Sequence, residues 1–184
     1  MEYFAKGKHG RVYLDKHNAI KKSSPLRIKN EVKWLKTLNK NGIGPKLISY
    51  NKNSFKYKFI KGEFITEFIE KNNKSKIRKI LLDILKQCRV MDKLNVNKKE
   101  MHNPHKHIII NKGKAFMIDF ERCYKTNKPK NVTQFCQFII SNHLKPLLIK
   151  KGFKINRKKL LSLLIKYKHN QNEINFKNIL LFIR

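Results

Sequence analysis

Ile77, Ile80, Leu81, Ile84, Leu85, Cys88, Met91 and Leu94 recur at helical spacing and make one continuous apolar face in the middle of the chain. That stripe predicts a long buried helix, opened by Ser75, which other elements must cover along one side. The segments before it have a different character. Residues 3–8, 10–15, 19–21, 46–50 and 54–60 read as short strands joined by tight turns. A single helix among them runs from Ser23-Ser24-Pro25 to about Leu38, with Ile28, Val32, Leu35 and Leu38 turned inward. Lys61-Gly62 reads as a hinge. Beyond it come a short helix at 64–70, the long one, strands at 108–111 and 116–121, and helices at 131–144 (ended by Pro146), 158–168 and 176–183. The expected class is α+β, in one domain of 184 residues: a small antiparallel sheet with one helix over about 1–61, and a helical portion over about 62–184. A chain this long hides roughly 70% of its unfolded surface, so it needs no disulfide or metal to stay folded.

Three stretches carry candidate chemistry. Phe116-Met117-Ile118-Asp119-Phe120-Glu121 reads as an apolar strand ending on a carboxylate. An acid placed there is costly to bury unless a positive group, such as a divalent cation on its oxygens, compensates it. Near the N-terminus, Ala5-Lys6-Gly7-Lys8-His9-Gly10-Arg11-Val12 spaces two glycines in a basic hairpin. Glycines there either let backbone N–H groups approach phosphate oxygens or simply make the turn. One hairpin later, Ala19-Ile20-Lys21 ends a strand on a lysine that either reaches the same phosphates or is solvated surface, and strand alternation sends Lys22 to the opposite face. Glu31, the one acid of the first helix, is either the ion-pair partner of Lys21 or a surface acid among lysines. The loop from Glu100 to His107 contains His102, His105 and His107. Without a cysteine, and with Pro104 holding the segment extended, these do not make a zinc set.

The charge narrows the partners. Forty-four Lys+Arg against 12 Asp+Glu leave +32, a field that attracts nucleic acid, anionic membrane surface or nucleotides. Lys, Asn and Ile dominate together, so A/T-rich codon usage is an alternative source of that excess. Cys88, Cys123 and Cys136 form no CxxC pair, which fits packing as small apolar groups in a reducing, cytoplasmic setting. No apolar signal core opens the chain and no apolar run approaches 18 residues, so no membrane partner is expected.

The order of these parts, glycine loop, strand lysine, helix glutamate, hinge, long helix, polar loop and strand with Asp-Phe, resembles that of protein kinases. Over about residues 5–140 it is similar to the atypical RIO and KEOPS-complex kinases, and especially to small archaeal proteins predicted to be serine/threonine kinases, whose metal motif reads Asp-Phe-Glu. Val12-Tyr13-Leu14, Ala19-Ile20-Lys21-Lys22, Glu31 and Ile118-Asp119-Phe120-Glu121 carry the likeness. It implies a protein-kinase-like two-lobed fold and transfer of the γ-phosphate of Mg-ATP to a protein hydroxyl. Gly7 and Gly10 would cover the phosphates, Lys21 would hold them and pair with Glu31, and Asp119 would bind Mg²⁺. Glu100 stands where the family places the acid that orients the acceptor hydroxyl, and His107 near the residue that takes a second metal. The triplet is Lys98-Lys99-Glu100 rather than a histidine-led one, and the segment after Asp119 lacks Ala-Pro-Glu. Those departures leave two other readings: a weakly active ATP-binding module that docks on RNA or a ribonucleoprotein, and a small-molecule phosphotransferase.

Overall fold

A computed structural model describes residues 1–7 and 9–183. It shows an α+β chain with seven α-helices and a five-stranded antiparallel sheet among the described residues. The strands β1 (Glu2–Lys6), β2 (Gly10–Asp15) and β3 (Asn18–Ser23) form a meander. After the helix α1 (Pro25–Asn39) come β4 (Leu47–Tyr50) and β5 (Ser54–Lys58), giving the order β1-β2-β3-β5-β4. Register decides what the inner face offers. Ala5 pairs with Val12, Val12 with Lys21 and Lys21 with Phe55, so all four side chains project to one side. The intervening Tyr13, Ile20 and Lys56 project to the other.

Helix α1 opens on Pro25 at its first position, where a missing N–H costs nothing, but neither preceding serine caps it. The Ser23 hydroxyl instead donates to the His9 carbonyl, tying the glycine turn to the entry of the helix.

The chain then crosses to β6 (Glu63–Phe64), which pairs with β8 (Ile108–Asn111), itself paired with β9 (Lys114–Met117). Gly62, expected as a hinge, is pressed against this small sheet: a Cβ there would fall on the Ile110 carbonyl and 2.8 Å from Cγ2 of Ile109. Only glycine lets the two backbones approach so closely.

Helix α2 (Ile65–Lys71) leads to α3 (Lys74–Lys93), the long helix of the apolar stripe. Its cap is Asn73, whose side chain accepts from the Lys76 N–H, rather than Ser75, which lies inside the first turn. Asn95 ends it in the left-handed conformation, φ 57°. Strand β7 (Val96–Lys98) pairs with β10 (Cys123–Lys125), and a 3₁₀ turn at Lys99–His102 follows β7.

Helices α4 (Asn131–Ile139), α5 (Leu144–Lys150), α6 (Arg157–His169) and α7 (Glu173–Phe182) complete the chain. The segment expected as one helix over 131–144 is broken at residues 140–143, and Pro146 falls in the first turn of α5, where proline is tolerated, instead of ending a helix. Asn131, the first residue of α4, is buried. Its Nδ2 donates to Asp92 at 2.8 Å and to the Val96 carbonyl at 2.6 Å, while its Oδ1 accepts from the Lys98 N–H at 2.8 Å. Asp92 also accepts the N–H of Asn131 and the Tyr167 hydroxyl, so one buried carboxylate joins α3, α4 and α6. A single apolar core runs through both portions, from Ile28 and Leu35 to Phe135, Leu160 and Ile179. No helix is long and apolar enough to cross a membrane, among the described residues.

Candidate active site

Where α1 and β3 meet the segment after β9, one ammonium is surrounded by carboxylates. Lys21 Nζ lies 2.7 Å from Glu31 Oε2, 2.9 Å from Asp119 Oδ1 and 3.5 Å from Glu121 Oε2. Asp119 lies 98 residues from Lys21 along the chain. Four of the twelve acids of this lysine-rich protein, Glu31, Glu100, Asp119 and Glu121, belong to this one neighbourhood. Each is matched: Arg27 Nη1 holds Glu121 Oε1 at 3.0 Å, and Lys98 Nζ lies 3.1 Å from Glu100 Oε2.

The geometry rests on α1. Arg27, Asn30, Glu31 and Trp34 fall at i, i+3, i+4 and i+7, a second patterned face beside the apolar one. Asn30 Nδ2 donates to the carbonyls of Glu121 and Cys123 at 2.6 and 3.2 Å, and is itself aimed by the Trp34 indole, which donates to Asn30 Oδ1 at 3.1 Å. Glu31 uses its second oxygen to accept the Phe120 N–H at 3.2 Å. The helix therefore grips residues 120–123 through both main chain and side chain.

Asp119 is not on a strand. Strand β9 ends at Met117, and Asp119 adopts a left-handed backbone, φ 62°. Among non-glycine residues only short polar ones visit that region readily. The turn points the carboxylate toward Lys21 while Phe120 enters the core, where its ring meets Gly44, the left-handed glycine (φ 81°) between α1 and β4; a Cβ on Gly44 would stand 2.8 Å from the ring.

Electrostatics follow from burial and charge. Burial pushes Lys21 toward its neutral form, but Glu31 and Asp119 outweigh it and hold the ammonium more firmly charged than a free lysine. Burial raises the Glu31 carboxyl above its usual range, against the pull of Lys21. For Asp119 burial acts upward too, yet Lys21 and Lys98 overcome it and leave the carboxyl below its ordinary value. His107, under burial and the nearby Lys98 charge, is pushed down to about 4 and is a neutral imidazole at neutral pH. Its Nδ1 is 4.0 Å from Asp119 Oδ2 and makes no hydrogen bond among the described residues.

Of the residues singled out in the sequence, Lys21, Glu31, Asp119 and His107 converge directly. Glu100 joins them through Lys98, which also donates to the Asp119 carbonyl. Glu100 lies in the 3₁₀ turn, buried, with Oε1 3.6 Å from Arg122 Nε. Ala5 and Val12 share the sheet face of Lys21, whereas Lys6 and Arg11 pair at the hairpin tip. The Gly7 N–H donates to the Gly10 carbonyl at 2.9 Å and so closes the turn internally. Gly10 has a packing reason, since a Cβ would lie 2.7 Å from the Lys22 carbonyl. His9 offers the carbonyl that Ser23 binds, and Lys8 lies outside the described residues.

Arg27, Asn30, Lys98 and Glu121 were not singled out by sequence. The i, i+3, i+4 spacing around Glu31 is the signal that would have found the first two. Glu31, Asp119 and Glu121 offer ligand atoms within 4.8 Å of one another, a set able to attract a cation.

No protein-family model matches the chain. Over 75 residues it is 33% identical to an uncharacterized protein, MJ1211, of Methanocaldococcus jannaschii. That stretch covers 41% of this chain and 64% of the relative, so the chain spans less than two thirds of that protein's length.

Proposed function

We propose that this chain is a cytoplasmic, protein-kinase-like, two-lobed phosphotransferase that uses Mg-ATP to phosphorylate a serine or threonine hydroxyl of a protein. The observation that carries this reading is the Lys21 ammonium held at 2.7 and 2.9 Å between Glu31 and Asp119. A desolvated, preorganised cation of this kind stabilises anionic phosphoryl oxygens without reorganising. It is poised at the end of a sheet face, lined by Ala5 and Val12, that ATP would occupy beneath the hairpin of Lys6, His9 and Arg11.

The donor set fits Mg²⁺ at one oxygen in particular. Both oxygens of Glu31 are engaged, and Glu121 is buried beside Arg27. Asp119 is the accessible acid, and its Oδ2 accepts no hydrogen bond among the described residues while Oδ1 serves Lys21. Asp119 would hold the ion, which would supply charge neutralisation to the phosphates. His107 beside it is a poor ligand for a hard cation. Glu100 would accept the proton of the acceptor hydroxyl through Oε1, which Lys98 leaves free and Arg122 Nε faces at 3.6 Å.

Thermal unfolding with and without Mg-ATP, together with transfer of labelled γ-phosphate, tests the reading. Ligand at about 100 times its dissociation constant adds roughly 2.7 kcal/mol to the wild type. Lys21→Ala should abolish both the shift and the transfer, and Asp119→Asn the transfer and the Mg-dependent part of the shift. A wild type that gains nothing from Mg-ATP overturns the proposal.

The +32 charge favours a second reading, a catalytically weak module of the same shape docking on RNA. It predicts RNA affinity that falls steeply with salt and persists in Asp119→Asn.

A further inference from the structure

A second opening belongs to a different face of α1. An open groove of about 930 Å³ runs between that helix and the turn joining β4 to β5. Ile28 and Val32 close its floor, and Leu26 and Tyr50 stand at its sides, 78% and 53% exposed. Leu26 and Tyr50 thus leave apolar surface side by side on this face of the molecule. Its rim is formed by Lys29, Lys33, Lys36 and Lys52, with no carboxylate among the lining residues. None of these four lysines enters an ion pair among the described residues.

We infer that this groove binds an acidic peptide segment of a partner protein, one that presents apolar side chains between carboxylates. The floor and sides take the apolar anchors and the lysine rim takes the acids. Charge complementarity disfavours a second copy of this chain, which at +32 would bring lysines against lysines. Single-stranded nucleic acid needs exposed aromatic platforms. Tyr50 is the one aromatic lining residue, and Lys36 covers its ring at 4.0 Å and donates to its hydroxyl at 2.5 Å. The remaining apolar contacts are aliphatic, which suits leucine-like anchors better than bases.

The inference does not depend on the phosphotransfer reading and is tested apart from it. The probe is a fluorescein-labelled helical peptide with leucines at i, i+3, i+4 and i+7 and glutamates at the other positions. It is compared, by anisotropy, with the same peptide carrying glutamine for glutamate and with a dodecamer of uridylate. Leu26→Ser and the pair Lys29→Glu/Lys52→Glu probe the groove; all three residues are exposed, so the fold is retained. Lys158→Glu/Lys159→Glu, on α6, is the control for diffuse charge. The acidic peptide is expected to bind, with each groove variant and the glutamine peptide weakening it by about tenfold or more and the α6 pair by less than about threefold. Failure of the acidic peptide to bind, equal loss in the α6 pair, preferential uridylate binding that the groove variants remove, or a dimer in sedimentation that they dissociate would each overturn the assignment.

Discussion

The ammonium of Lys98, a fully buried side chain, donates to the main-chain carbonyl of Asp119, and the two residues lie 21 positions apart. The same nitrogen serves Glu100 and stands 5.1 Å from the centre of the Phe120 ring, so one lysine fixes the far wall of the site. Lys98→Met fills the same space without the charge and leaves the buried Glu100 carboxylate only the more distant, half-exposed Arg122. It should cost about 3–5 kcal/mol, the usual result of breaking a buried pair by one partner. Lys98→Met combined with Glu100→Gln should recover the larger part, and urea unfolding of both variants checks this.

The left-handed backbone at Asp119 separates chemistry from folding. Asn tolerates φ 62° and a β-branched residue does not. Asp119→Asn should melt near the wild type while losing the Mg-dependent part of any ATP stabilisation. Asp119→Val should unfold more easily than the Asn variant by about 1–2 kcal/mol. Equal melting of the two would mean that the backbone there is not constrained.

His107 sets a pH window. Its folded value of about 4 lies below the ordinary histidine value of 6.5, so the unfolded chain takes up a proton before the folded one does. The stability it contributes is complete above about 6.5 and is lost as pH falls through 4. His105, lowered chiefly by burial, adds in the same sense. Unfolding free energy measured between pH 7 and pH 4 should fall, and His107→Gln should flatten most of that slope. Asp119, held below its ordinary 3.8, contributes stability that is lost only at still lower pH, which keeps the two apart.

Gly62→Ala places a methyl group against the Ile110 main chain and Ile109. Backbone cannot step aside as a side chain can, so a loss of about 3 kcal/mol is expected, at the upper end of overpacking. An unchanged denaturation midpoint would show that the crossing into β6 is looser than the structure has it.

Much of the fold was legible because periodicity speaks for whole elements. The stripe from Ile77 to Leu94 and the alternation around Ala19 and Lys21 gave helix and strand in the right order, and so the α+β class. What failed was punctuation. Ser75 for Asn73, and Pro146 as an end rather than a beginning, are errors of one turn, where several polar residues compete for the same cap. Treating residues 116–121 as strand throughout missed the turn at Asp119, because apolar neighbours look alike whether they pair in a ladder or enter a core. In the candidate site, the residues read in sequence came from local spacing. Arg27 and Asn30 escaped because their partners are remote, and Lys98 because in so lysine-rich a chain nothing local distinguishes a buried lysine from a solvated one.

The ring of Phe120 is lodged against Gly44 on one side and stands beside Asp119 in the chain on the other. Phe120 is thus an aromatic wedge: its seat beside the turn that follows α1 and the aim of the most accessible site acid are fixed together.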